Sequence, residues 1–468
     1  MSADSETLRP ARRRNALIWF FGALGGILWG YDTGVISGAM LFIKKDIPLS
    51  PLQQGLVVSG LLVGAMVGAG ASGRLADLWG RRRMVLIAAV VFTAGTAAAM
   101  TAMASWTLVA SRFVIGIGVG ITSVVVPLYL TELAPKHMRG ALTSLMQLLV
   151  TLGIFVAYLV DYGLADAGAW RWMLGLGALP ALLLGLGISF QPESPRWLVK
   201  RGRTEQARSV LRRLRGIHQE QADDELQEIR QSLQDQQVEH SVGLRQLLAP
   251  RLRPVLLLGL GLVFFQNFLG INTIIYYAPT LLTTLGFGTS GAILANVGIG
   301  LVNVLMTLPA LRLIDRVGRR SLLLVGSVGM LASMLVLGVA NVAGMAYGPG
   351  LVVLTLVSIV IYIASYAVSW GPVQWVMLPE LFPLRMRGSA VGLCVIFNWL
   401  FNMLVSLVFP MLLDVSGPGP MFLFFALMAV CAVWFVRGAL VETKGKSLEQ
   451  IETQVLHPET AAEQPAAR

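Results

Sequence analysis

The stretch Ala16–Ile43, "ALIWFFGALGGILWGYDTGVISGAMLFI", holds one formal charge, Asp32, in the middle of a run that is otherwise uncharged. A helix needs about 20 apolar residues to cross a bilayer core, so this run reads as a membrane span, and that reading decides the fold. Runs of the same kind follow at roughly 54–73, 84–105, 107–130, 141–163, 171–190, 254–282, 289–312, 321–343, 350–378, 389–413 and 419–438. Of the 468 residues, 55% are hydrophobic and 13% charged, with a mean hydropathy of +0.71. A soluble chain carries nearer a quarter charged residues. The sequence therefore specifies an all-α polytopic membrane protein with twelve transmembrane helices.

The basic segment "RPARRRN" ahead of the first run suggests a signal peptide, but the run is too long and lacks a small-residue cleavage site. It reads as a retained span. With the N-terminus in the cytoplasm, Arg81, Arg82, Arg83, Lys136, Arg139, Arg316, Arg319, Arg320, Arg385 and Arg387 fall in cytoplasmic loops. The opposite side carries mainly Lys44, Lys45 and Arg171. That asymmetry follows the positive-inside rule and places both termini on the inner side of the cytoplasmic membrane. It also accounts for the net charge of +11 without a nucleic-acid partner. Cys394 and Cys431 lie in spans and read as small packing residues.

Residues 191–253 form the one long polar segment, mixed in sign and helix-favouring ("TEQARSVLRRLRGIHQEQADDELQEIRQSLQDQQ"), and read as a solvated cytoplasmic helical linker. It separates an N-terminal six-helix half, 16–190, from a C-terminal one, 254–438, with polar cytoplasmic tails at 1–15 and 439–468. The halves repeat. "GRLADLWGRRR" matches "LRLIDRVGRRS", "TELAPKHMRG" matches "PELFPLRMRG", and "PESPRW" is echoed by "VETKGK". The offsets from Asp77 to Asp315, Glu132 to Glu380, Arg139 to Arg387 and Glu193 to Glu442 are 238, 248, 248 and 249. Duplicated six-span halves are the architecture of secondary transporters.

All these acids and arginines, with Arg81 and its counterpart Arg319, follow even-numbered spans and so share one face. Carboxylates and guanidiniums there can form charge-assisted, often bidentate pairs, which can bridge the halves when that face is closed and part when it opens. An isolated GRR would be no more than a topology signal. The set Asp77, Arg81, Glu132, Arg139, Glu193, Asp315, Arg319, Glu380, Arg387 and Glu442, repeated in both halves, reads as a cytoplasmic gate.

The chain resembles the sugar porter family of the major facilitator superfamily over 16–450. The resemblance rests on "GYDTGVISGA", "GRLADLWGRRR", "PLYLTELAPKHMRG", "PESPRWLVKRGR", "QNFLGINTIIYYAP", "DRVGRR", "GPVQWVMLPELFPLRMRG" and "VETKGKSLEQIE", in that order. It implies a monosaccharide substrate, with sugar contacts on Gln147, Gln266, Asn267, Asn272, Asn303, Trp375 and Asn398. Two departures stand out: the family's paired glutamines in span seven are Gln266-Asn267 here, and its PETKG segment has Val441 for proline. The residues themselves agree with a sugar. Uncharged amides serve both hydroxyl roles, an indole packs against a C–H face, and the mid-depth amides come from both halves. A single buried amide can equally be interhelical glue, which is the reading for Asn402. Ile154 and Asn398 resemble hexose-type members more than pentose-type ones.

Asp32 lies about 12 Å from the outer end of span one, and Arg112 about 8 Å from that of span four, at 1.5 Å per residue. Opposite charges at similar depth can pair, and ionisable residues inside a span are functional-site hypotheses. Burial favours the neutral carboxyl and a guanidinium favours the anion, so moving the pair would bind or release a proton. His137, His218, His240 and His457 all fall outside the spans. In the resembling family, proton-coupled members carry aspartate at this position. The expected activity is secondary active monosaccharide–proton symport by alternating access, with sugar, protons and membrane lipid as partners. The rivals are a facilitative uniporter with a structural Asp32 and a non-transporting sugar sensor. A drug–proton antiporter would have a more apolar site. No nucleophile–base pair, metal-ligand cluster or phosphate loop appears, so neither an enzyme nor a cofactor or metal is expected.

Overall fold

Apolar length translates directly into structure: twelve helical segments among the described residues are long and apolar enough to cross a membrane. They are Leu24–Asp46, Pro51–Trp79, Arg81–Met100, Ser105–Leu133, Leu145–Leu164, Trp170–Ser189, Arg253–Thr284, Thr289–Val317, Arg319–Val342, Gly350–Leu381, Arg387–Ser416 and Pro418–Gly438, here spans one to twelve. No strand occurs among the described residues. The computed structural model describes the backbone of residues 4–134, 139–215, 218–238, 249–250, 252–345, 348–382 and 387–444. Side chains are described from residue 24 onward, apart from 135–144, 215–217, 235–248, 251, 346–347, 349, 383–386 and 445–468.

The chain forms two compact units: Met1–Val35, Gly60–Ala157 and Arg171–His240 in one, Ile36–Ser59, Tyr158–Trp170 and Ser241–Arg468 in the other. Small residues let helices meet at backbone distance in the first unit. A Cβ on Gly30 would strike the Val150 carbonyl, and one on Gly153 the Ile27 carbonyl, locking spans one and five together. Gly64 and Gly68 meet the carbonyls of Phe113 and Ile117 in the same way, joining spans two and four. In lipid, where apolar side chains gain little from leaving their surroundings, such close packing is a main source of helix association.

In the second unit the tips of the early spans are held by polar side chains. Asn296 Nδ2 donates to Ser37 Oγ at 2.9 Å, and the Tyr158 hydroxyl donates to the Ile275 carbonyl at 3.1 Å. The Gly38 N–H donates to Asp161 Oδ2 at 3.1 Å, and Trp170 Nε1 donates to Asp46 at 2.8 Å.

The polar segment after span six is helical, as its composition requires, over Pro195–Lys200, Thr204–Arg215 and Gln219–Val238. It is not merely a solvated linker. Trp197, Leu198, Ala207, Leu211, Ala222, Leu226 and Ile229 form a small buried core of their own. The apolar residues recur at helical spacing, so each helix has one face to bury.

Candidate functional site

Spans seven and ten, each read from sequence as one run, are each broken in two. In span seven the helix Arg253–Phe268 stops, Gly270 takes φ 95°, and a second helix runs Ile271–Thr284. Glycine reaches that backbone region without the Cβ penalty. In span ten, helices Pro349–Val368 and Trp370–Leu381 meet at Ser369. Broken helices at membrane depth survive only where the freed backbone groups find partners. The Tyr362 hydroxyl donates to the Leu269 carbonyl at 2.8 Å, and Thr273 Oγ1 donates to the Gly270 carbonyl at 2.6 Å.

The breaks gather side-chain amides. Asn272 Nδ2 donates to Asn267 Oδ1 at 2.8 Å, and Asn267 Nδ2 donates to Asn398 Oδ1 at 3.0 Å and to the Val263 carbonyl at 2.8 Å. Gln374 Nε2 also donates to Asn398 Oδ1, at 3.2 Å. Gln266 Nε2 donates to the Tyr366 hydroxyl at 2.8 Å. Of the expected sugar residues, Gln266, Asn267, Asn272 and Asn398 thus form one local group, whose amides lie on spans seven and eleven. Asn267 is fully buried with its amide bonded in every direction, so it holds its neighbours in place. Asn303 is buried on span eight, and Trp375 is half-buried on span ten. Gln147, half-buried on span five, belongs to the other unit. Asn402 bonds Tyr276 of span seven and Ser406, as a helix-joining amide should.

Three polar residues escaped the reading from sequence. Gln374 stood in plain view in "GPVQW", and Tyr366 four residues before Trp370. Asp161 is a second carboxylate inside a span, in "LVDYG", fully buried.

Asp32 and Arg112 do pair. Arg112 Nη1 donates to Asp32 Oδ1 at 2.6 Å, and both side chains are almost wholly buried. The second oxygen, Oδ2, has no hydrogen-bond partner among the described residues. A guanidinium binding one oxygen leaves the other open to a proton.

The acidic and basic motifs build two matching clusters. In the first unit Arg81 Nε and Nη2 grip both oxygens of Glu132 at 3.0 and 3.1 Å, while Nη1 meets Asp77 at 2.9 Å. Glu193 accepts the backbone N–H groups of Arg81 and Arg82 at 3.0 and 3.1 Å. In the second unit Arg319 Nη2 meets Glu380 at 3.1 Å and Asp315 at 3.2 Å. Glu442 accepts the backbone N–H groups of Arg319 and Arg320 at 2.9 and 3.0 Å. Thr443 Oγ1 donates to the other Glu380 oxygen at 2.6 Å. Gly80 and Gly318, with φ 99° and 103°, sit where a Cβ would strike the capping carboxylate. Arg387 turns its guanidinium to the Phe382 carbonyl at 3.3 Å, and the Arg139 side chain lies outside the described residues.

Twelve spans, a repeated pair of ion clusters and an amide group on broken helices define a membrane transporter. The chain belongs to the sugar (and other) transporter family, which it matches over residues 18–455. It is 44% identical to the glucose transporter GlcP of Staphylococcus epidermidis, over 94% of this chain and 97% of that one. Its fold is that of the major facilitator superfamily. It matches the inward-open xylose transporter XylE from E. coli with a TM-score of 0.81 at 33% identity, covering 94% of this chain and 99% of that one. It also matches the proton:xylose symporter XylE bound to 6-bromo-6-deoxy-D-glucose, with a TM-score of 0.74 at 32% identity and the same coverage. These relatives are transporters, not enzymes.

Proposed function

We propose that this protein imports a monosaccharide, a hexose by preference, together with a proton, by alternating access in the cytoplasmic membrane with both termini inside. The observation that carries the sugar half is the amide group around the break in span seven, which Gln374 of span ten joins just ahead of the half-buried Trp375. It offers donors and acceptors in a fixed pattern, as a polyhydroxylated ligand requires. Gln147 and Asn303 stand with Gln266, Asn267, Asn272, Trp375 and Asn398 as proposed sugar residues, Asn267 acting through its neighbours. The hexose preference draws on the glucose transporter among the relatives.

Proton coupling rests on the buried Asp32–Arg112 pair, with one carboxylate oxygen left unpartnered, and on the likeness to a proton:xylose symporter. The two ion clusters are the proposed cytoplasmic gate. Uptake of labelled glucose, galactose, xylose and inositol into proteoliposomes, with and without an imposed pH gradient, tests all of this together. Gradient-driven accumulation supports symport, uptake only to equilibrium makes the protein a facilitator, and binding without uptake makes it a sensor.

A further inference from the structure

Gln374 is a buried amide outside the expected sugar residues. Gln374 precedes Trp375 on the second helix of span ten, is fully shielded, and reaches span eleven by donating from Nε2 to Asn398 Oδ1 at 3.2 Å. Its own Oε1 has no hydrogen-bond partner among the described residues.

The direction of every bond in this group is fixed from one end. The Val263 carbonyl can only accept, so Asn267 must turn its NH2 toward it, at 2.8 Å. The same NH2 meets Asn398 at 3.0 Å, so Asn398 must show its oxygen there. Gln374 faces that oxygen too, and must present its own NH2. Two donors therefore hold the Asn398 oxygen, and its Nδ2, which makes no hydrogen bond among the described residues, is the half left for a ligand.

We infer that Gln374 is a specificity-setting positioning residue: together with Asn267 it donates to the Asn398 oxygen and so holds that amide with its NH2 toward the sugar. The site then demands an acceptor from the sugar at one ring position. A hydroxyl or a fluorine satisfies it, and a hydrogen does not. This inference rests on the sugar reading above.

The test measures half-saturation for uptake of D-glucose, or of D-xylose if that is what the wild type takes up, and of each singly deoxy and deoxyfluoro form. Wild type should tolerate fluorine and reject hydrogen at one ring position. Gln374→Met keeps the length of the side chain and removes the donor. It should shrink that one discrimination roughly 2- to 10-fold, as the loss of one net hydrogen bond implies, and leave discrimination at the other ring positions unchanged. Gln374→Glu, an acceptor when ionised, sets a carboxylate against the Asn398 oxygen that Asn267 holds in place, and should shrink the same discrimination at least as far as Gln374→Met does. A uniform loss across all analogues in both variants, or no change in either, overturns the role of Gln374 while leaving sugar transport standing. A wild-type protein that takes up neither sugar overturns the sugar reading itself.

Discussion

Glu193 and Glu442 make the same pair of bonds in the two halves of the chain: each carboxylate accepts the backbone N–H groups of two successive arginines that open a span. The first N–H groups of a helix have no partner within it, and an anion there also meets the positive end of the helix dipole. Loss of a helix cap costs about 0.5–2 kcal/mol. Glu193→Ala and Glu442→Ala should each lower the thermal unfolding temperature in detergent, by similar amounts. An effect confined to one of them would show that the repeat is not functional symmetry.

Glu132 and Glu380 neutralise arginines that are largely buried. Removing either carboxylate strands its guanidinium, the expensive way to break such a pair. If these clusters form the cytoplasmic gate, Glu132→Ala and Glu380→Ala, like Arg139→Ala, should favour the inward-open form. Labelling of cysteines placed along the inner halves of the spans, from the cytoplasmic side, should rise. Constant or reduced labelling would remove the clusters from the gate.

Asn272→Ala and Gln147→Ala should each weaken sugar binding a few-fold, since a net hydrogen bond is worth about 0.5–1.5 kcal/mol. Asn267→Ala should weaken it more, because Asn272 and Asn398 both lean on that one amide. Titration of the purified proteins with sugar gives the ranking, and affinity unchanged from wild type in all three variants would take the group out of the site.

Asp32→Asn keeps the shape of the side chain but cannot exchange a proton near neutral pH. The variant should still bind sugar, should not accumulate it on a pH gradient, and should carry out residual exchange that no longer varies with pH. Breaking a buried pair costs about 3–5 kcal/mol, so folded yield is measured alongside transport. A well-folded Asp32→Asn protein that still concentrates sugar would make the charge structural.

The parts of this molecule readable in its sequence are those governed by local composition. Twelve apolar runs became twelve spans because the bilayer admits no other use for them. The kinship of "PESPRW" and "VETKGK" was visible as spacing and proved to be a shared capping carboxylate. Asp32 and Arg112 were matched by depth alone, since each needed the other. The breaks in spans seven and ten were harder to see. Gly270 and the Trp370-Gly371-Pro372 run signalled them, but a hydropathy window averages across a break. Gln374 and Asp161 acquire meaning only from Asn398 and Gly38, partners on other helices that no local pattern announces.

The ion clusters also distribute stiffness. One ties together the ends of spans two, three and four and the residues just after span six. The other does the same for spans eight, nine and ten and the residues just after span twelve. Among the described residues, spans one, five and seven contribute nothing to either, and span eleven only Arg387, whose charge acts on Glu380 through space. Those four carry Asp32, Gln147, Gln266, Asn267, Asn272 and Asn398. Each half thus has spans that its ion cluster ties at one end and spans that it leaves alone or barely touches, and the proposed proton and sugar groups ride mainly on the latter.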